Sequence, residues 1–140
     1  MARAVEERSF QLYHRVVFRT VIRGHHVYKS IWTPCVGESL VAHRDDRSEA
    51  LQYDKFAIGT YKKNEEGMEE LVGHVPIELS SLLYHFLSEG PDNHLAIEVT
   101  GKRKREVGLV VPAKFTALTK DKRVAMVLDE EKEKMYINLV

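Results

Sequence analysis

A single stretch of this sequence, PIELSSLLYHFLSEGP, repeats apolar residues at helical spacing. Leu79, Leu82, Leu83, Phe86 and Leu87 follow the i, i+3, i+4 rule and form one apolar stripe. Pro76 opens the stretch where a missing N–H costs nothing, and Gly90-Pro91 closes it. Around this helix, predicted over about residues 76–89, the chain reads as short β-rich runs. A doubly wound sheet needs a crossover helix for each parallel strand, so one helix rules against that arrangement.

The strands are legible as runs of β-branched and alternating apolar residues bounded by turn signals. RVVFRTVIRG at 15–24, ESLVAH at 38–43, FAIGTY at 56–61, EELVGHV at 69–75, HLAIEVTG at 94–101 and LVVPAKFTAL at 109–118 all have this character. KKNEEG joins FAIGTY to EELVGHV as a hairpin turn. Gly59 marks a bulge or a close approach, and Pro112 an edge or a bulge. RDDRSEALQYD at 44–54 reads as an exposed polar loop. At the end of the chain, RVAMVL and KMYINLV flank the charged run DEEKEK and suggest a final hairpin. The fold class expected is mostly β: a small antiparallel barrel with one helix packed across an end. Residues 1–14 are expected to form an N-terminal arm or a leading strand, and residues 15–140 a single domain ending in the C-terminal hairpin.

Composition bounds the function. Apolar residues make up 44% of 140, too many for a disordered chain. Lys plus Arg balances Asp plus Glu at 21 each, so a nucleic-acid contact has to be local. No apolar run reaches the ~18 residues of a membrane span, and the charged start lacks the apolar core of a signal peptide. The lone Cys35 excludes an internal disulfide and fits a reducing compartment. An intracellular protein, nuclear or cytoplasmic, is expected.

The usual chemical signatures are missing from the sequence. Seven histidines invite a metal site, but His25 and His26 are adjacent, and on a strand they point to opposite faces. Neither they nor Cys35 complete a known ligand spacing. TPCVGE around Cys35 has no feature that lowers a thiol pKa. No paired-carboxylate motif and no phosphate-cradling glycine loop occurs. The expectation is no enzyme, no metal and no cofactor.

What remains is a set of reactive side chains at strand ends, where a rigid scaffold tends to carry function. Tyr53-Asp54 ends the polar loop, and Gly73-His74 ends a strand just before the helix. Lys102, Arg103, Lys104 and Arg105 form a basic turn suited to phosphate contact or nuclear import.

The pieces VIRGHH, VGESLVAHR, YDKFAI and LVGHVPIELSSLL, in this order and spacing, resemble the HIRAN domain family. The resemblance covers about residues 18–118, most of the chain. It implies an OB-like barrel that binds single-stranded DNA with a preference for a 3′-hydroxyl end. The family occurs as an accessory module of fork-remodelling helicases and as a stand-alone domain. The chain has no GxxxxGK[ST] loop, so the resemblance is to the bare module.

Carried over residue by residue, Tyr53 and Asp54 match the family's Tyr-Asp at the nucleotide pocket. Asp54 would accept from a terminal 3′-hydroxyl and repel a phosphate. Arg44 matches the Arg ahead of the loop and His74 the His of VGH. His25 and His26 stand where an aromatic pair or a His is often found, and imidazoles stack on bases. With the basic turn, these make up the expected nucleic-acid-binding set. The loop departs from the family's REPxNPYD: RDDRSEALQYD is three residues longer and has neither its Pro nor its Asn. This departure and the neutral charge support a second expectation, a protein-interaction module on the same fold. There the nucleotide pocket has decayed and the Ile31-Trp32 loop is the apolar anchor.

Overall fold

A computed structural model describes residues 12–106 and 108–139. The sequence-predicted arm over residues 1–14 thus lies mostly outside the described residues. The chain runs β1 (His14–Ile22), α1 (His25–Tyr28), β2 (Ser39–Arg44), α2 (Ser48–Tyr53), β3 (Ile58–Lys63), β4 (Glu69–His74), α3 (Ile77–Ser88), β5 (His94–Val99), β6 (Lys104–Glu106), β7 (Gly108–Thr119) and α4 (Lys122–Leu139). The strands lie in the order β1-β7-β5-β2-β3-β4, with β6 added to β7, and every pairing is antiparallel. The class read from the sequence therefore stands: mostly β, antiparallel, OB-like.

Alternation along the strands builds the core. Val16, Phe18 and Ile22 of β1 face inward with Val111, Ala113, Phe115 and Ala117 of β7 and Leu95, Ile97 and Val99 of β5. Leu79, Leu83 and Phe86 of α3 press on this face, as the helical stripe requires. Each such side chain contributes about 1.5–3 kcal/mol on burial. Pro112 sits one step beyond the last β5–β7 pair, Val99↔Ala113, and its carbonyl accepts from Thr100 N–H at 2.9 Å. Its missing N–H thus falls where the β5 ladder has ended.

Ladder pairing does not close the sheet into a barrel. The outer strands β1 and β4 meet only at their ends, in the antiparallel bridge Arg23↔His74. Arg23 N–H donates to His74 O at 2.9 Å, and His74 N–H to Arg23 O at 3.0 Å. Gly73 makes this approach possible. A Cβ there would strike the Ile22 side chain and lie 2.8 Å from the Arg23 carbonyl oxygen.

Two sequence expectations are corrected. The C-terminal hairpin is instead the 18-residue helix α4. DEEKEK is a run of good helix formers and propagates the helix where a turn was expected. Asp121 caps it: its Oδ1 accepts from Arg123 N–H at 2.8 Å and Val124 N–H at 3.3 Å. Val124, Ala125, Leu128 and Met135 then form the stripe that packs on the core. The loop at 44–54 also contains the short helix α2, whose N-cap is Arg47.

Candidate functional site

A cavity of about 570 Å3 opens at the corner where β1 and β4 meet. Three segments converge on it. Arg23 and Gly24 come from the end of β1, Tyr53 and Asp54 from the end of α2, and His74 from the end of β4. Val27, Ala50, Ala57, Val75 and Ile77 make the remaining wall apolar. Gly24 adopts φ 83°, which turns the chain from β1 into α1 and leaves no side chain at the mouth.

Tyr53 is 85% exposed and offers a free ring face. Val27 and Ile77 are also largely exposed and add apolar surface to the lining. Asp54 ends α2 in an extended conformation, and its Oδ1 accepts from Phe56 N–H at 2.9 Å. This turn spends one carboxylate oxygen and fixes the direction of the other.

His74 is held from two sides. Its backbone makes the bridge to Arg23, and its Nε2 lies 2.6 Å from Oδ2 of Asp45. The Asp45 side chain is 1% exposed and also takes a two-pronged bond from Arg47, Nε to Oδ1 and Nη2 to Oδ2, each 2.9 Å. Burial acts to raise the Asp45 pKa. The hydrogen bonds from the Arg47 side chain, His74 and the Arg47 N–H outweigh it, and the carboxyl is held down at about 2. On Arg47 the Asp45 carboxylate is the strongest influence, and with a hydrogen bond to Tyr28 it overcomes burial and holds the guanidinium firmly charged. Asp45 was not among the residues singled out from the sequence. The signal available was an acid directly after a strand and two residues before an Arg that caps a helix.

The structure brings Tyr53, Asp54 and His74 together, and leaves other sequence-predicted residues outside the cavity lining. Arg44 bonds Asp46, Nε to Oδ1 at 2.6 Å, and its guanidinium lies 5.1 Å from the centre of the Tyr84 ring. His25 is 0% exposed and packs edge-on against Trp32, with ring centroids 5.5 Å apart. It presents no face for a base. The side chain of His26 lies outside the described residues. The expected basic turn is corrected in part, since Lys104 and Arg105 lie on β6; Arg103 Nη1 approaches His25 Nε2 at 3.4 Å, and Lys104 pairs with Glu106 at 3.2 Å. Lys102 and Arg105 are exposed beside them.

Trp32 is corrected as a partner anchor: it is 2% exposed. Its Nε1–H donates to both oxygens of Glu38, at 3.0 and 3.2 Å, and Glu38 also accepts from Cys35 N–H at 3.1 Å. The Glu of VGE thus holds the tryptophan inside. Among the described residues no three of His, Cys, Asp and Glu gather as metal ligands. No helix of the described residues is long and apolar enough to cross a membrane.

No protein-family model matches the chain, and none of the curated proteins does. Among solved structures the chain is similar to a HIRAN domain, and its fold is HIRAN-like. The structure concerned is the crystal structure of the HIRAN domain of human HLTF. The TM-score is 0.61 and the identity 20%, over 84% of this chain and 87% of that one. At that identity the likeness is one of fold.

Proposed function

We propose that this chain is a non-catalytic single-stranded DNA-binding module whose corner cavity receives a 3′ end. The observation that carries this reading is the convergence of Tyr53, Asp54 and His74 on one apolar-walled cavity. The exposed Tyr53 ring suits base stacking, which tolerates any base. The Asp54 oxygen not used by its own turn can accept from a terminal hydroxyl. A phosphate at the same point would meet a like charge. The Lys102–Arg105 basic segment adds affinity as a group, so neutralising it weakens all sequences alike.

The test is fluorescence polarisation with matched oligonucleotides that carry a free or a phosphorylated 3′ end. The free end binds more tightly, and binding weakens as salt rises. Equal binding of both ends at low salt removes end recognition. No binding at low salt removes the DNA-binding reading itself.

A further inference from the structure

His74 Nε2 meets a group that only accepts. The Asp45 carboxyl, held at about 2, is ionised near neutral pH, and an ionised carboxylate has no proton to donate. Nε2 therefore carries its hydrogen in both charge states of the ring, and Nδ1 is the nitrogen that gains or loses a proton. Among the described residues Nδ1 has no hydrogen-bond partner, and the side chain is 27% exposed on the cavity lining. Neutral His74 thus offers the corner a lone pair, and protonated His74 a positively charged N–H. The ionisable groups around it are Asp45 with Arg47 bonded to it, Asp54 from the end of α2, and Arg23, which pairs loosely with Glu78 of α3 at 3.9 Å. His43 of β2 shares the face of His74, with Gly59 of β3 between them, and its Nε2 lies 2.7 Å from Glu69. On β3 the Tyr61 pKa is raised, chiefly by burial, so that hydroxyl stays neutral.

We propose that capture of a strand at the corner is coupled to the uptake of one proton by His74, so that binding tightens as pH falls. The inference rests on the reading of the corner cavity as the seat for a 3′ end. Asp45 is the positioning residue: by taking Nε2–H it leaves Nδ1 as the atom that meets a ligand. Protonated Nδ1–H donates to a phosphodiester oxygen of the strand, while Asp54 accepts from the terminal hydroxyl. Together they give the corner a polarity that neutral His74 lacks. The complex then holds more protons than the free chain. Affinity therefore rises as pH falls, by at most about tenfold per pH unit for a single proton.

The experiment titrates a thymidine decanucleotide with a free 3′ end by fluorescence polarisation from about pH 8 to about pH 6, at constant ionic strength. Its phosphodiesters stay ionised and its bases neutral over that span, so any pH dependence belongs to the protein. The affinity of the wild type rises roughly tenfold, the order of one charge-assisted hydrogen bond. His74→Gln flattens the profile, and His43→Gln retains it. Because His74→Gln also disturbs the contact with Asp45, the wild type is read directly as well. The NMR titration midpoint of the His74 ring moves to higher pH when the decanucleotide is bound. Equal binding across the span, or a His74 midpoint that does not move on binding, overturns the proton coupling and leaves the reading of the cavity standing. A pH profile that persists in His74→Gln puts the proton elsewhere and also overturns it. No binding at any pH overturns the reading of the cavity, and the proton coupling falls with it.

Discussion

His74 and Asp45, 29 residues apart in the chain, stand 2.6 Å from each other, Nε2 to Oδ2. The contact ties the end of β4 to the segment that leads into α2. Arg47, bonded to the same carboxylate, caps α2, and α2 carries Tyr53 and Asp54 at its far end. Asp45 thus positions the cavity without lining it. Asp45→Ala should cost about 2–3 kcal/mol in chemical denaturation, near the low end for a broken buried pair, because the half-exposed Arg47 can turn to water. Affinity for a 3′-hydroxyl strand should fall as well, even at temperatures where the variant is fully folded. A variant that is destabilised but binds normally would show that α2 is held by other contacts.

The same carboxylate sets an acid limit. Its pKa is about 2 in the folded chain against an ordinary 3.8. A depressed carboxylate stabilises the fold above its unfolded pKa, and this is lost as pH falls through the folded value. Asp45 should therefore contribute on the order of 2 kcal/mol above pH ~4, fading towards pH ~2. Acid titrations of stability for the wild type and Asp45→Asn check this. The difference between the two curves should shrink across that window, and a constant difference would contradict it.

Gly73→Ala tests the meeting of the two outer strands. The added methyl collides with Ile22 and with the backbone oxygen of Arg23, and neither can swing away freely. A loss of about 1–3 kcal/mol is expected, typical of overpacking. In an NMR spectrum the shifts should concentrate at residues 22–24 and 72–75. A silent substitution would mean that the bridge is dispensable.

Asp54→Asn and Tyr53→Ala should separate end recognition from affinity. Loss of the Asp54 charge should narrow the gap between free and phosphorylated 3′ ends, with a modest change for the free end. Loss of the Tyr53 ring should weaken both ends by about 1–3 kcal/mol, the worth of one stacked base. Polarisation titrations of the two variants and their combination read this directly. An end preference that survives in Asp54→Asn would leave the corner with no role in reading the terminus.

The sheet and α3 were legible because their signals are local: β-branched alternation, a Gly turn and a single apolar stripe. α4 reads as strands because Val, Tyr and Ile favour them, while its helical spacing from Val124 to Met135 emerges only when the charged run is counted through. Trp32 looked like a surface anchor because nothing near it in sequence announces that Glu38 will take its N–H. Tyr53, Asp54 and His74 were visible as residue types at strand ends. Asp45 was not, because its value depends on His74, which only the folding of β3 and β4 brings to it.

The bridge between Arg23 and His74 gives the molecule a seam. Parting the outer strands there breaks two backbone hydrogen bonds, while every other strand junction is held by a ladder. Amide exchange at these two residues reports how often the seam opens. Both residues also line the cavity, so a ligand that touched the two together would favour the closed seam. Such a ligand should slow exchange at Arg23 and His74, and by reciprocity whatever loosens the seam should weaken its binding. The two-bond join between the outer strands would in this way report whether the corner is filled.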